Sequence, residues 1–469
     1  RIQNSARTMS MQYISTRGKT PPMGFQDAVI TGLAPDGGLL IPERIPQVKD
    51  RLEAWAKLSY QDITFELLRL FVDIPDADLR KLIDRSYATF RHPEIAPAIP
   101  VGPVHILELF YGPTLAFKDI AMQFLSNCFE YVLARTGKQM NILGATSGDT
   151  GSAAIHGVRG RDHINIFIMH PHGRVAPLQE KQMTSVLDSN VFNLAIEGTF
   201  DDCQQIMKSI FNDLDFKNRF SLGAVNSVNW ARVLVQIVYY FSAGLYVMQT
   251  TGAPAIQFAV PTGNFGDILA GYYAWRMGLP IKKLILATNA NDILARFFNT
   301  GEYSLGKVVP TLSPSMDIQV ASNFERYLYY KLGEDGAKLT AMMKQFSASG
   351  KLTVPVNARG RVDDLFVAGV GTTPETLETI GRYYREYKYM LDPHTAVGVS
   401  VAEKYLDSKI PTLCLATAHP AKFSKAIEDS TGTVPHHEIL DNLADAPTRC
   451  TVLPADEKIV KDFITQHVK

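Results

Sequence analysis

A lysine occupies an unusual place in the stretch ELFYGPTLAFKDIAMQF (108–124), between an apolar run and an amphipathic run. If a helix begins there, Lys118 carries its charge at an N-terminus whose dipole is already positive, whereas Asp119, which suits that end, follows one position later. The charged form of the amine is then disfavoured, and a lysine that loses its proton can act as a nucleophile. A solvated charge at a helix start is the more common explanation, so the other motifs must decide between the two.

Two loops of small residues follow strand-like runs and precede predicted helices. They are GATSGDTGSAAIHG (144–157) and VPTGNFGDILAGYYA (260–274). Small residues let the backbone pass close to a ligand, and the free N–H groups at a helix start suit a carboxylate or a phosphate. The second loop matches neither GxGxxG nor a Walker A motif, so we interpret it as a cradle of backbone amides. An ordinary capped turn remains an open alternative for each loop.

A third helix start, GAVNSVNWARVLVQIVYYF (223–241), joins a polar head to an apolar body. Arg232 lies in the predicted first turn, shortly after Asn229, the predicted N-cap. An arginine there opposes the helix dipole unless an anion lies beside it. A solvated arginine on a capped helix is the alternative. Two anion sites, together with Lys118 at an unfavourable position for its charge, would suit a phosphorylated cofactor and a phosphorylated substrate.

Two histidines follow a strand or a cap signal, His419 in LATAHPAKF (415–423) and His394 in LDPHTAVGV (391–399). Asp392 is predicted to cap the helix that follows it, because an aspartate before a proline at the first helical position is a common start signal. A lone histidine is more often a structural hydrogen-bonding residue than a catalyst. We therefore predict structural roles for both.

The bulk composition is that of an ordinary globular protein. The chain has 469 residues, 46% of them apolar and 20% charged, and is too long for a single core. Lysine plus arginine and aspartate plus glutamate number 47 each, so the net charge predicts neither nucleic acid nor an anionic membrane as a partner. The four cysteines show no metal-binding spacing and favour free thiols in a reducing compartment.

The hydropathy pattern predicts neither a membrane segment nor a secretory signal. The longest apolar run, 233–248, is shorter than a bilayer span and predicts a buried helix. The N-terminus RIQNSARTMSMQYISTRG lacks the apolar centre of a secretory signal. Residues before Met11 are consistent with a cloning remnant, an upstream extension or part of a transit peptide.

Strand-like and helical stretches alternate from Val104 onward, which predicts parallel α/β sheets flanked by helices. The predicted strands are 104–110, 140–145, 164–170, 191–198, 256–261, 284–288 and 412–417, and clear predicted helices are 120–135, 202–211 and 231–248. Residues 11–100 and 290–369 are predicted to be mostly helical. We divide the chain into an N-terminal mostly helical domain (1–103), a first α/β region forming a small substrate-binding domain (104–245) and a second α/β region forming a large domain (246–469).

The ordered motifs resemble those of the fold-type II pyridoxal-phosphate enzymes, the tryptophan synthase β family, and within it the threonine synthases of the longer, fungal and enterobacterial type. The motifs are GLAPDGGLLIPERIP (32–46), ELFYGPTLAFKD (108–119), GATSGDTGSAA (144–154), NSVNWAR (226–232), PTGNFGDILAG (261–271), LDPHTAVG (391–398) and TAHPAKF (417–423). They run from about Tyr13 to beyond Phe423. The resemblance implies an α/β fold with parallel and mixed sheets flanked by helices, plus an N-terminal mostly helical domain.

The resemblance also implies which residues bind the cofactor, pyridoxal 5′-phosphate. Lys118 is similar to the lysine that holds it covalently, and Thr417 to the hydroxyl partner of its pyridine nitrogen. Asp149 stands where the wider family has an asparagine beside the cofactor's 3′-oxygen. The cofactor phosphate is assigned to Thr262, Gly263, Asn264, Phe265, Gly266 and Asp267.

Substrate-binding residues follow from the same resemblance. The loop similar to the one that grips the substrate carboxylate contains Thr146, Ser147 and Thr150. The residues similar to a substrate-phosphate site are Asn226, Ser227, Asn229 and Arg232, joined by Arg174 of HPHGRVAP.

The activity implied is the conversion of O-phospho-L-homoserine and water to L-threonine and phosphate, by γ-elimination of phosphate and β-addition of water. Two alternatives stay open: a phospho-lyase that releases 2-oxobutyrate from the same substrate, and a non-catalytic protein on the same scaffold. We expect a cytoplasmic enzyme of amino-acid biosynthesis, a monomer or small homo-oligomer, with a small-molecule substrate, no nucleic-acid or membrane partner and no metal.

Overall fold

Apolar runs that alternate with amphipathic stretches fold into an α/β protein, and this confirms the predicted fold class. The structure, a computed structural model, describes residues 10–146 and 148–468. Its strands are β1 Tyr13–Ser15, β2 Leu40–Pro42, β3 Ala98–Val101, β4 Val104–Glu108, β5 Met140–Ala145, β6 Ile164–Pro171, β7 Val191–Glu197, β8 Leu222–Gly223, β9 Ile256–Pro261, β10 Ile281–Thr288, β11 Glu302–Ser304, β12 Lys351–Thr353, β13 Phe366–Val370, β14 Thr412–Ala416 and β15 Thr451–Pro454.

Helices surround these strands and connect most of them. They are α1 Phe25–Thr31, α2 Leu52–Trp55, α3 Tyr60–Leu68, α4 Asp76–Tyr87, α5 Lys118–Thr136, α6 Asp149–Val158, α7 Pro177–Thr184, α8 Phe200–Asn212, α9 Leu214–Arg219, α10 Trp230–Thr251, α11 Gly266–Met277, α12 Ile293–Thr300, α13 Phe324–Lys331, α14 Gly336–Ser349, α15 Thr373–Tyr387, α16 Pro393–Ala402, α17 Ser424–Thr431, α18 Glu438–Asp441 and α19 Glu457–His467.

Two larger sheets organise the chain. One has the strand order β13-β10-β9-β14-β4-β3, parallel throughout except for β3 at its edge, which runs antiparallel to β4. The other has the order β15-β7-β6-β5-β8 and is parallel. Because parallel strands are buried on both faces, these strands consist of almost continuous apolar runs.

Every strand predicted from the sequence is present, with ends that differ by a few residues at most. The segments 11–100 and 290–369, predicted to be mostly helical, also contain strands that were not predicted, β1, β2 and β3 in the first and β11, β12 and β13 in the second, and β8 and β15 were not predicted either. Strands of two to five residues give no resolvable period, so an apolar run such as that of β13 cannot be assigned from its own pattern.

Sheet membership does not follow the order of the chain. Strand β4 pairs with β14, and β15, near the C-terminus, pairs with β7. Each sheet therefore takes strands from both sides of residue 245. The division into three domains stays a prediction, because strand pairing alone does not say which parts of the chain fold independently.

The N-terminal segment packs against α10 and shares its core. The hydroxyl of Tyr13 donates to the carbonyl of Phe71 at 2.8 Å and accepts the indole N–H of Trp230 at 3.0 Å. Asn229, the N-cap of α10, donates through its side-chain amide to the carbonyl of Val29 in α1 at 2.8 Å. This segment thus supports the helix whose start carries Arg232.

Helix α10 is long and apolar enough to cross a membrane by length and composition. However, 83% of its most apolar 18-residue window is buried inside the protein, as in the core helix of a globular domain. Its apolar faces pack against α3, α5 and α11. The predicted buried helix over 233–248 is therefore confirmed.

Truncation of Trp230 tests how strongly the N-terminal segment and α10 support each other. Its ring is fully buried and lies 5.0 Å from Tyr273 and 5.9 Å from Tyr13, centroid to centroid. Trp230→Ala should lower the free energy of unfolding by about 3–5 kcal/mol, because it leaves a large cavity. Trp275→Ala, at a ring that is 40% exposed, is the matched control and should change it by less than about 1 kcal/mol. Equal shifts of the two thermal midpoints would contradict this packing.

Candidate active site

The carboxyl ends of three neighbouring parallel strands bring the predicted motifs together. Strands β9, β14 and β4 lie side by side in the larger sheet. The loop that begins at Thr262 follows β9, Thr417 follows β14, and the loop that ends at Lys118 follows β4. Ligands collect at this edge of parallel α/β sheets, so these loops define the candidate site.

A cavity of about 150 Å³ lies at this edge. It takes residues from the loops that follow β4, β9 and β14, from the start of α6, which follows β5 of the other larger sheet, and from the start of α10. Its lining residues are Phe117, Lys118, Asp149, Thr150, Ser227, Arg232, Gln236, Pro261, Thr262, Gly263, Asn264, Phe265, Gly266, Asp267, Ser315, Met316, His394, Thr417 and Ala418.

Backbone hydrogen bonds place Lys118 above the end of β14. The amide of Phe117 donates to the carbonyl of Thr417 at 2.8 Å, and the amide of His419 donates to the carbonyl of Leu115 at 3.0 Å. Leu115 has φ +62°, a left-handed conformation that costs energy for a residue other than glycine. The loop bends sharply here, and α5 begins directly at Lys118.

The environment of Lys118 lowers its pKa. Part of the side chain borders the cavity, but protein surrounds it on the other sides. Burial, together with the positive charges of Arg232 and Lys422, lowers the pKa of Lys118 to about 8, against an opposing effect of Asp149. The sequence prediction of a depressed pKa therefore has a structural basis, and desolvation is its main cause.

The loop after β9 forms a cradle at the start of α11. A Cβ on Gly263 would lie 2.7 Å from the carbonyl oxygen of Ser315, so only glycine fits there without a shift. Phe265 has φ +65°, and its buried ring stacks on Phe298 at 5.9 Å. This packing holds a strained backbone that leaves the first amides of α11 free to bind an anion.

The acidic residue of this cradle is only partly ionised near neutral pH. Burial raises the pKa of Asp267 to about 7, although the hydroxyls of Tyr239 and Tyr240, which donate to its carboxyl group, act in the opposite direction. A partly protonated carboxyl group repels an anion bound by the neighbouring amides less than a fully ionised one would. The hydroxyl of Thr262 donates to the carbonyl of Val260 at 2.8 Å and so keeps its lone pairs for other donors.

Arg232 is a buried cation that lacks a matching anion. Its side chain is 5% exposed, and in the described part of the chain neither Nε nor Nη1 has a hydrogen-bond partner. Burial lowers its pKa to about 10, which leaves it charged at neutral pH. Because unpaired buried donors are rare and costly, this guanidinium fits an anionic ligand group in the cavity. The hydroxyl of Ser227 lies in the same wall, 2.6 Å from that of Ser322.

Asp149 is held by an ion pair that the sequence did not predict. Lys422, in the short helical turn Pro420–Phe423 after β14, places its ammonium 2.8 Å from Oδ1 of Asp149. Burial by itself would raise the pKa of Asp149, but Lys422, together with Lys118 and His394, lowers it to about 2. Asp149 is therefore an anion at every physiological pH.

Several predicted substrate residues have other partners in the structure. The hydroxyl of Thr146 accepts the amides of Gly148 and Gly151, each at 3.2 Å, and supports the start of α6. The side chain of Asn226 accepts the amide of Val228 at 3.3 Å. Neither Thr146 nor Asn226 lines the cavity, and their contacts with substrate stay predictions.

Of the other predicted substrate-binding residues, some line the cavity and others do not. The side chain of Asn229 caps α10 by accepting the amide of Ala231 at 3.1 Å, which confirms the predicted N-cap but places its polar atoms away from the cavity. Arg174 is exposed and does not line the cavity. Ser147 lies outside the described residues. Of the predicted carboxylate-binding residues, Thr150 lines the cavity. The binding roles of Thr150, Ser147, Asn229 and Arg174 stay predictions.

Sequence reasoning missed Lys422, although it lies within the recognised motif TAHPAKF. It treated His394 as structural, and the ring does accept the amide of Ser315 through Nε2 at 3.3 Å and lies 2.7 Å from Asp392, yet it also lines the cavity. Asp392 caps α16, as predicted. His419 caps the turn 420–423, which is a structural role that the sequence did not specify. The only available signal for Lys422 was its position just after a strand end.

The site fits a phosphorylated aldehyde cofactor. It offers an amine with a lowered pKa, a glycine-lined cradle at a helix start, a hydroxyl at the end of β14 and a buried guanidinium free for a second anion. Lys118, the loop 262–267 and Thr417 are the groups that would hold such a cofactor. Arg232 and Ser227 then remain for a substrate.

Three family descriptions match the sequence. "Threonine synthase N terminus" matches residues 12–87, "Pyridoxal-phosphate dependent enzyme" matches 89–412, and "Threonine synthase, C-terminal" matches 395–464. The threonine synthase of Pseudomonas aeruginosa is 47% identical over 468 residues, which cover 97% of this chain and 98% of that protein.

Solved structures show the same relationship. A crystal structure of threonine synthase from Brucella melitensis with bound pyridoxal phosphate has a TM-score of 0.94 and 46% identity, covering 98% of this chain and 100% of the other. The yeast threonine synthase structure has a TM-score of 0.93 and 44% identity, covering 98% of this chain and 99% of the other. The chain therefore belongs to the threonine synthase family of pyridoxal-phosphate-dependent enzymes.

Proposed function

We propose that this chain converts O-phospho-L-homoserine and water to L-threonine and phosphate, as a carbon–oxygen lyase that acts on a phosphate ester. The threonine synthase names of its relatives support the product. The cavity supports the substrate, because it combines a reactive amine with two separate groups that suit phosphates.

The unpaired guanidinium of Arg232 is the observation that carries the choice of substrate. The cofactor phosphate is accounted for by the cradle at the start of α11. A second anion site would have no use if the substrate carried only a carboxylate, which the start of α6 and Thr150 can bind. Arg232, with Ser227 beside it, therefore suits the phosphate of the substrate.

When bound, pyridoxal phosphate withdraws electrons from the substrate's α-carbon and so makes the neighbouring C–H bonds acidic. The protein supplies position and proton transfer. In this proposal Lys118 binds the cofactor, and the loop 262–267 holds its phosphate by backbone amides. The Thr417 hydroxyl would interact with the pyridine nitrogen, and Asp149 would approach the cofactor from the side of the α6 loop.

Proton transfer falls to Lys118, whose amine is half neutral near pH 8. Once the substrate's amine has displaced it from the cofactor, Lys118 can take a proton from Cα and then one from Cβ. It can return protons to the substrate as phosphate leaves from Cγ and water adds at Cβ. A base with a pKa close to the working pH transfers protons in both directions efficiently. Arg232 stabilises the departing phosphate by charge.

We also propose a cytoplasmic location, with free thiols in a reducing compartment. In the structure Cys128, Cys203 and Cys414 are buried thiols and Cys450 is an exposed one. The monomeric or small homo-oligomeric state, and the absence of nucleic-acid and membrane partners, stay predictions.

Loss of the amine at Lys118 should abolish the reaction. Lys118→Ala, incubated with O-phosphohomoserine, should form neither threonine nor phosphate and should lose the visible absorbance of the bound cofactor. Lys138→Ala, at an exposed lysine, is the matched control and should keep both. Chromatography of amino acids and 2-oxo acids, with a phosphate assay, measures the outcome. Phosphate with 2-oxobutyrate in place of threonine from the unmodified protein would contradict the proposed reaction.

Loss of the charge at Arg232 should affect substrate more than cofactor. Arg232→Met should raise KM for O-phosphohomoserine by about 30-fold or more, since a buried charge pair is lost, and should leave cofactor content unchanged. The contrast is Arg326→Met: this fully buried arginine donates to the carbonyls of Leu40 and Val228 and so has a structural role. That variant should lower the melting temperature rather than shift KM. A normal KM in folded Arg232→Met would exclude Arg232 from the phosphate site.

The pH dependence of cofactor binding to the cofactor-free protein should show the pKa of Lys118. Only the neutral amine attacks an aldehyde, and Lys118 becomes neutral as the pH rises through about 8. The rate of covalent cofactor capture should therefore fall about tenfold for each pH unit below 8 and level off above it. Borohydride trapping followed by peptide mass analysis measures capture at Lys118. A midpoint near 10.5, the value of an ordinary lysine, would contradict the buried environment.

A further inference from the structure

A second lysine lies beside the candidate nucleophile and is more deeply buried. The side chain of Lys422 is 0% exposed, and its ammonium lies 2.8 Å from Oδ1 of Asp149 and donates to the carbonyl of Thr114 at 2.7 Å. A buried ammonium is expensive unless it is paired and hydrogen-bonded. Here Asp149, itself 5% exposed at its side chain, supplies the charge.

The contacts of Lys422 reach the base of the helix that begins at Lys118. The amide and the hydroxyl of Thr114 donate to the two oxygens of Asp119, at 2.8 Å and 2.7 Å. Asp119 follows Lys118 in α5. Lys422 therefore joins three parts of the chain: the α6 start, the loop before α5 and the turn after β14.

Charged and titratable groups face Lys118 from every element around it. They are Asp149 on α6, Arg232 on α10, Lys422 on the turn 420–423 and Asp119 on α5 itself, and His394 on α16 faces Asp149. Among the described residues Lys118 has no carboxylate within ion-pair distance, although Asp149 lines the same cavity. The carboxylate that could pair with Lys118 is already bound to the other lysine.

We propose that Lys422 is a positioning residue that occupies the carboxylate of Asp149, so that Asp149 does not form an ion pair with Lys118. This inference rests on the proposed use of Lys118 as the nucleophile. An ion pair with Asp149 would hold Lys118 protonated and turn its amine away from the cofactor's aldehyde. With Lys422 in place, Asp149 stays ionised and immobile, and Lys118 remains available.

Charge considerations support this division of roles. Lys422 acts on Lys118 in two ways with the same sign, since its positive charge disfavours a second ammonium nearby and its contact with Asp149 removes the alternative partner. A residue that only held the neighbouring segments together would need its hydrogen bond to Thr114 but no charge. The two explanations predict different pH profiles when the charge is removed.

The test uses variants of the whole chain from which the cofactor has been removed. It compares the rate at which each variant captures the cofactor covalently at Lys118 as the pH is varied. Lys422→Met removes the charge, and the midpoint of the capture profile at Lys118 should move up by about one pH unit or more, as expected when a nearby carboxylate gains Lys118 as its partner. The double variant Lys422→Met/Asp149→Asn also removes the freed carboxylate, and its midpoint should return to the wild-type value or below. Lys422→Arg keeps the charge and should stay within about 0.3 units of wild type.

Two results would overturn the inference. One is an unchanged midpoint of the capture profile in Lys422→Met that is folded by circular dichroism. This would mean that Lys422 has only a structural role. The other is a raised midpoint in the double variant, which lacks the competing carboxylate. If Lys422→Met does not fold, Lys422→Gln, which keeps a donor for the Thr114 carbonyl but carries no charge, takes its place, and its midpoint should move up in the same direction. A wild-type profile without a midpoint near 8 would count against the proposed function instead, so the two failures are distinguishable.

Discussion

Two backbone hydrogen bonds connect the loop before α5 to the segment after β14, and the arrangement of the site depends on them. Phe117 donates to Thr417 and Leu115 accepts from His419, so residues 115–117 run alongside 417–419 as a short antiparallel bridge. Because β14 lies between β9 and β4, this bridge brings Lys118 within the same cavity as the cradle after β9. Without it, a lysine ten residues beyond the end of β4 would have no defined position.

The bridge also creates an electrostatic problem, since it collects cations in a buried space. Lys118 and Arg232 line one cavity together with Asp149, and the ammonium of Lys422 lies 2.8 Å from the same Asp149. The three cations differ in their surroundings: Lys422 is paired with Asp149, Lys118 has a lowered pKa, and Arg232 has two donors without a partner among the described residues. Each environment suits the role proposed for that residue, which is positioning residue for Lys422, nucleophile for Lys118 and anion receptor for Arg232. Such unequal environments for like groups are what allow one site to divide roles.

Much of the site was predictable because its residues stand in local motifs. The loop 262–267 and the helix start at Lys118 combine small residues, strand ends and cap signals within a few positions, and these are short-range properties of the chain. Lys118 and Arg232 are both cations at predicted helix N-termini, where the helix dipole is unfavourable for a positive charge, so the sequence alone marks them as unusual. The core strands were predictable for a similar reason, since buried parallel strands are continuous apolar runs. Asn229 shows the limit, because its cap role was predicted from neighbouring residues, while its contact with Val29, 200 positions away, was not.

Sequence alone determined the main strands, the cap at Asn229 and the family resemblance that the comparisons confirmed, and it supplied the reactive residues that are proposed here. Tertiary structure decided which polar residues share the cavity: it brought Thr150, Ser227 and Arg232 to it and directed Thr146 and Asn229 to capping contacts. It alone joined Lys422 to Asp149, far apart in the chain, and β15 to β7. The physical reason is that propensities and caps act over a few residues, whereas ion pairs and strand partners are chosen by the packing of the whole chain.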